Sequence, residues 1–97
     1  MFYANTLKRR QKVRRLANIF EKCFEIQRNC KVLNYKIPLL FPKQKIAVEF
    51  GGYDRYNTKT INLEKTGIRI FNIPDNEDVF HTAGRLLYVI NNYSKFK

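Results

Sequence analysis

A single acidic residue stands inside an otherwise apolar stretch of this chain. Glu49 is the fourth residue of Ile46–Phe50, and Gly51 and Gly52 follow directly. A carboxylate is costly to bury without a cation or hydrogen-bond donors. One explanation is structural, namely an exposed sheet face or an ion pair with one of the basic residues Lys36, Lys45 or Arg69. The other is chemical: the carboxylate holds a divalent metal beside a phosphate, and the glycines allow close approach.

A metal site for phosphodiester hydrolysis usually recruits more than one protein carboxylate. Asp54, in the loop after the glycines, is the nearest further acid. We therefore predict Glu49 and Asp54 as catalytic and metal-binding residues, with Mg²⁺ or Mn²⁺ as the cofactor. Asp54 could equally pair with Arg55 or cap a turn. Glu21 and Glu25, nearer the N-terminus, are further candidates or plain surface charges.

The chain is strongly basic, with 19 Lys and Arg against eight Asp and Glu and a net charge of +11. Six of the eight residues between Lys8 and Arg15 are basic. Charge of one sign favours a polyanion, because every phosphate that is neutralised releases condensed counterions. DNA is the predicted partner and RNA stays open; the alternative is a solvated helix face. The predicted nucleic-acid-binding residues are Lys8, Arg9, Lys12, Arg15, Lys22, Lys45, Arg55 and Arg69.

The elements that position these residues follow from hydrophobic periodicity. Asn5 or Thr6 can cap a helix that extends to about Gln27, because apolar residues recur at three- and four-residue steps. That stripe comprises Val13, Leu16, Ala17, Phe20, Cys23 and Phe24. At 100° per residue, one flank of the stripe gathers the basic residues Lys8, Lys12, Arg15 and Lys22.

The remaining elements alternate between strand and helix. A period of two at Leu33, Tyr35 and Ile37 predicts a strand that Pro38 ends, bulges or confines to an edge. A turn, an apolar strand, a short helix, another strand and a final helix are predicted over 42–45, 46–50, 58–65, 68–73 and from Asp75 or Asn76 to about Tyr93. Residues 1–97 thus form one α+β domain: an N-terminal helix, a small mixed sheet of three to four strands and a C-terminal helix. The expected core includes Leu16, Phe20, Phe24, Val48, Ile70, Leu86 and Ile90.

Two short sequence motifs are similar to those of a known protein family. Within Leu39–Tyr53, the residues Ile46–Glu49 have the form "hydrophobic-hydrophobic-hydrophobic-Glu", and after Phe50 come two glycines and Tyr53. Within Leu63–Phe71, the residues Gly67–Ile70 read "Gly-hydrophobic-Arg-hydrophobic". With the element order, this resembles small nucleases of the PD-(D/E)XK superfamily, particularly the branch related to very-short-patch-repair mismatch endonucleases. The resemblance implies a minimal restriction-endonuclease-like fold and metal-dependent cleavage of DNA. The chain departs from the family pattern where Pro38 to Leu40 replace the first metal-binding acid, and Gly51 replaces a lysine.

Two functions follow as hypotheses. The first is a metal-dependent DNA endonuclease of phage or mobile-element type, which nicks one strand because a monomer of this size holds one active centre. The second is a catalytically inactive, nuclease-like DNA-binding or regulatory protein. Glu49 and the glycines after it favour the first hypothesis, and Pro38 favours the second. A monomer and a homodimer are both open.

Composition excludes several other classes. No apolar run approaches the ~20 residues that cross a bilayer, so we expect no membrane association. The start of the chain has no apolar segment typical of secretion. Cys23, Cys30 and His81 are too few and too scattered for a zinc site. We therefore expect a cytoplasmic protein, in a bacterial host cell if the chain is phage-encoded.

Overall fold

A computed structural model describes the backbone of residues 2–51 and 56–95 and the side chains of residues 7–51 and 56–92. Seven elements follow in the order α1 (Phe2–Phe20), β1 (Gln27–Val32), β2 (Tyr35–Phe41), β3 (Ile46–Phe50), α2 (Thr58–Lys65), β4 (Arg69–Ile73) and α3 (Val79–Lys95). No helix within these ranges is both long and apolar enough to span a membrane.

The sheet has four strands in the order β1-β2-β3-β4. The first three strands pair antiparallel, whereas β3 and β4 are parallel. Parallel neighbours need a crossover connection, and α2 supplies it. The predicted α+β fold, with an N-terminal helix, a mixed sheet and a C-terminal helix, is confirmed.

Both faces of the sheet are covered. Helices α1 and α3 pack on one face around Leu16, Phe41 and Leu86, which are fully buried. Helix α2 covers the other face through Leu63, which packs near Ala47. Five members of the expected core are buried as predicted, namely Leu16, Phe20, Val48, Leu86 and Ile90. Phe24 and Ile70 are only partly buried and pack at the margins of the two clusters.

The first helix is shorter than predicted, and a strand follows it. The backbone N–H groups of Cys23 and Phe24 both donate to the carbonyl of Phe20, at 3.0 and 2.9 Å, which closes a turn. This turn places the Phe24 ring 6.0 Å from Phe41 across the sheet face. Cys23, predicted on the buried stripe, is therefore exposed. The strand predicted from Leu33 is also wrong there, because Leu33 and its successor form a hairpin turn with φ of 53° and 69°.

Pro38 interrupts the strand pairing as predicted, but two of its three predicted roles, a strand end and an edge strand, are wrong. It lies inside β2, which is an inner strand. The β1–β2 pairing omits Pro38 and the facing Asn29, whose φ is 49°. The β2–β3 pairing stops at Leu39 opposite Val48. Because proline has no N–H to donate, the sheet opens here, and Glu49 pairs on its β4 side only.

Candidate functional site

A cleft of about 720 Å³ lies between the first half of α1 and the place where β2 and β3 separate. It is lined by Arg9, Arg10, Val13, Arg14, Arg28, Asn29, Pro38, Glu49 and Phe50. Four arginines thus line the same cleft as one carboxylate in the described part of the chain. A concave surface with this charge suits an anion such as a phosphodiester.

The helix geometry explains why two of these arginines face the cleft. Arg10 and Arg14 are four residues apart, so they share one flank of α1. Val13 anchors that flank because it packs against the buried core. Within the residues that the structure describes, no carboxylate lies within ion-pair distance of Arg10 or Arg14. As far as the described residues go, an external anion can therefore bind to these two charges.

The other two arginines already have partners. Arg9 makes two hydrogen bonds of 2.7 Å to the carboxylate of Asp75, and its guanidinium lies 5.6 Å from the Phe50 ring centroid. The hydrogen bond from Arg9 lowers the pKa of the Asp75 carboxyl. Arg28 donates to Glu21 at 2.8 Å. These two side chains shape the cleft, while Arg10 and Arg14 supply most of its uncompensated charge.

Glu49 pairs with a lysine that the sequence did not indicate. Lys59 Nζ lies 2.5 Å from Glu49 Oε1 and also donates to the carbonyl of Lys36 at 3.1 Å. Lys59 stands in the first turn of α2, where its backbone N–H donates to the side chain of Asn57 at 2.9 Å. The Glu49 side chain is 20% exposed. Glu49 therefore forms an ion pair, as the structural explanation predicted. Its partner is Lys59 and not one of the three predicted residues.

Lys59 is the one cation that contacts the Glu49 carboxylate within the described residues. Oε1 is buried beside Lys59 Nζ and accepts no further hydrogen bond there. Mg²⁺ is commonly bound by one or two carboxylates together with waters and substrate phosphates. Glu49 fits that role, and Asp54, the predicted second ligand, lies outside the described residues. Within those residues no group of three potential metal ligands occurs.

Glu21 and Glu25, the further candidate acids, follow the end of α1 and do not line the cleft with Glu49. Glu21 pairs with Arg28 at 2.8 Å, and Glu25 lies 3.8 Å from Lys43. Both side chains are exposed, and neither lines the cleft. Glu49 is therefore the one carboxylate that lines it in the described part of the chain.

The side chains of the predicted basic flank do not line the cleft. Lys12 donates to the backbone carbonyls of Glu77 at 2.6 Å and Asp75 at 3.3 Å, so it joins α1 to the segment before α3. Arg15 lies over the Phe80 ring, 6.0 Å from its centroid. The exposed side chains Lys8 and Lys22 do not line the cleft either. Only Arg9, among the predicted basic residues described, lies in it.

Lys45 and Arg69 lie at the opposite end of β3 and β4. The Arg69 N–H donates to the Lys45 carbonyl at 2.7 Å, and Arg69 stands beside Ile46 in the register. Glu49 is three positions farther along the strand, which is roughly 10 Å. The structure therefore does not bring these two residues to Glu49, and Arg55 lies outside the described residues.

Four residues of the site were missed: Arg10, Arg14, Arg28 and Lys59. The basic run contained Arg10 and Arg14, but the sequence could not show which flank of α1 faces the open end of the sheet. No protein-family model, curated protein or solved structure matches this chain.

Proposed function

We propose that this protein binds DNA in the arginine cleft and hydrolyses one strand, with Glu49 in a Mg²⁺- or Mn²⁺-dependent active site. The observation that carries the proposal is the position of Glu49 among four arginines. A carboxylate repels phosphate, so it weakens a surface that serves only for binding. A partly buried carboxylate that lines an anion-binding cleft is better explained by a role in the reaction.

The contacts of each cleft residue indicate its role in the proposed reaction. Arg10 and Arg14 hold the phosphates on either side of the scissile bond, because neither has an internal carboxylate partner in the described chain. Lys59 orients Glu49 from the α2 side and offsets the cost of keeping a partly buried carboxylate charged. Glu49, with Asp54 as the second ligand predicted from sequence, would hold the metal. A metal bound there supplies a water of lowered pKa and neutralises charge at phosphorus.

The order of elements supports the same reaction. It is the order implied by the resemblance to PD-(D/E)XK nucleases, and Glu49 occupies the strand where that resemblance expects a metal-binding acid. One centre in a domain of 97 residues acts on one strand at a time, so the product is a nick unless the protein works as a homodimer. We extend the proposal to a phage or mobile-element enzyme that acts in the cytoplasm of a bacterial host.

A second candidate is a nuclease-like scaffold that binds DNA without cleaving it. The observation in its favour is that Lys59 already neutralises Glu49. Pro38 also stands where the resemblance expects an acid. In this case the arginines would hold the duplex, and Glu49 would keep only a structural ion pair.

Cleavage assays with matched variants separate the two candidates. Purified protein is incubated with supercoiled plasmid and with branched, mismatched and flapped duplexes, in Mg²⁺, Mn²⁺ or EDTA. We expect metal-dependent nicking that falls by orders of magnitude in Glu49→Gln, while DNA affinity holds or rises because one negative charge has left the cleft. Glu25→Gln, a change at an exposed carboxylate outside the cleft, is the control and should cleave like the parent.

Two results would reject the nuclease. The first is a Glu49→Gln variant that nicks as fast as the parent. The second is a parent protein that binds these DNAs tightly and cleaves none of them with either metal, which would establish the binding-only scaffold.

A further inference from the structure

A second groove, of about 530 Å³, runs along the outer side of α3. It shares no residue with the arginine cleft and is lined by Phe80, His81, Gly84, Arg85, Tyr88 and Val89. Phe80 and Tyr88 are 68% and 69% exposed. These two rings therefore contribute little to the core and present their faces to a ligand.

The spacing of the groove residues leaves a gap between the two rings. Phe80, Gly84 and Tyr88 follow at four-residue steps, so they lie along one side of α3. A β-carbon placed on Gly84 would meet no atom within 4 Å, which shows that the space above the glycine is open. The two aromatic positions are about 12 Å apart along the helix. A flat ring can enter this gap and stack on either side chain.

The charges beside the groove select an anionic ligand. The Arg15 guanidinium lies 6.0 Å from the Phe80 ring centroid, and no carboxylate within the described residues pairs with it. Arg85 differs, because Glu77 accepts two hydrogen bonds from it at 2.8 and 2.9 Å. A second copy of the chain carries the same net charge of +11, so long-range repulsion disfavours a homodimer here.

We propose that the α3 groove binds unpaired nucleotides of single-stranded DNA. A base stacks on Phe80 or Tyr88 above Gly84, and the adjoining phosphate contacts Arg15. Exposed aromatic rings beside a basic surface are the usual means of binding single strands without reading their sequence. A duplex keeps its bases stacked inside, so the ligand is a flap, a gap, a branch or a displaced strand.

The groove extends the proposed function by naming the structure of the substrate. It rests on DNA binding and does not depend on cleavage. Arg10 and Arg14 of α1 face the cleft, whereas Arg15 of the same helix adjoins the groove. A strand that leaves the cleft therefore crosses one helix, about 10–12 Å wide, to reach Phe80.

Fluorescence anisotropy with three labelled ligands of equal length tests the proposal: oligothymidylate, the same strand with abasic sites, and a blunt duplex. Phe80→Ala and Tyr88→Ala should each weaken binding of oligothymidylate roughly fivefold or more. Duplex affinity and the salt dependence of binding should not change, because no charge is removed. Leu33→Ala is the control, since it shortens an exposed apolar side chain in the β1–β2 turn.

Gly84→Leu separates a blocked groove from a damaged fold. Leucine fills the gap and favours the helix more than glycine does, so the melting temperature should hold or rise while oligothymidylate binding falls. Equal binding of the abasic strand and oligothymidylate by the parent would refute stacking, as would unchanged affinity in the ring variants. Tighter binding of oligouridylate than of oligothymidylate would refute the assignment to DNA.

Two further outcomes distinguish this proposal from the proposed function. If single-strand binding does not depend on the groove but duplex binding persists, the groove proposal fails and the cleft proposal stands; if no nucleic acid binds, both fail. Sedimentation equilibrium tests whether a second copy of this chain occupies the groove. A dimer that dissociates in Phe80→Ala would make the groove a homodimer interface and overturn the proposal.

Discussion

Replacing Arg10 and Arg14 of the cleft should change how DNA binding depends on salt. The double variant Arg10→Gln and Arg14→Gln removes two charges that have no carboxylate partner in the described chain. Each phosphate contact contributes about 0.9 to the slope of log affinity against log salt on duplex DNA, so the slope should flatten by roughly 1.8. Between about 50 and 200 mM salt, the ratio of parent to variant affinity should then shrink roughly tenfold.

The matched control is the double variant Lys43→Gln and Lys65→Gln, which also removes two exposed positive charges but from outside the cleft. Both proteins are titrated with one labelled duplex over a series of salt concentrations. The control should lower affinity slightly through the long-range field and keep the parent slope. Equal slopes for the cleft variant and the control would show that DNA does not lie in the cleft, and the basic surface around Lys8 would then be the next candidate.

Two further predictions concern stability. Phe20→Ala should cost about 3–5 kcal/mol, because the buried Phe20 ring packs 5.7 Å from Phe41 and 5.9 Å from Phe24; unchanged urea denaturation would contradict this packing. Hydrogen bonds from Arg85 lower the pKa of the Glu77 carboxyl, whose usual value is 4.5. The stabilisation from a lowered pKa is complete above the usual value and is lost as pH falls through the folded-state value, so melting temperature should drop below about pH 4.5 less steeply in Glu77→Gln than in the parent. An equally steep fall of melting temperature with pH in the parent and in Glu77→Gln would contradict this prediction.

Local sequence patterns were sufficient for the elements whose apolar residues repeat regularly. The short helix predicted over 58–65 matches α2, and the apolar strand with Glu49 matches β3. The stripe through Leu16 and Phe20 also identified the buried side of α1 correctly. These features depend on neighbours within a few residues, which is the range that periodicity reports.

Such patterns did not predict the first strand or the hairpin turn that follows it. Gln27–Val32 has mostly exposed side chains and no clear alternation of apolar residues, so it lacks the signal of a half-buried strand. It forms because the hairpin partner β2 supplies its backbone hydrogen bonds. The turn that joins them contains Leu33, which is unusual at positive φ.

Composition and local patterns were enough to show that this chain is basic, that it folds as an α+β domain and that Glu49 is an anomalous acid in an apolar strand. The surroundings of that acid depend on how distant segments pack. Lys59 reaches it because α2 crosses over the sheet, and Arg9, Arg10 and Arg14 line the same cleft because α1 packs with one particular flank toward the open end. Pro38 creates that opening by withholding a hydrogen bond from an inner strand. These are contacts between distant segments, and packing, which local periodicity does not report, sets them.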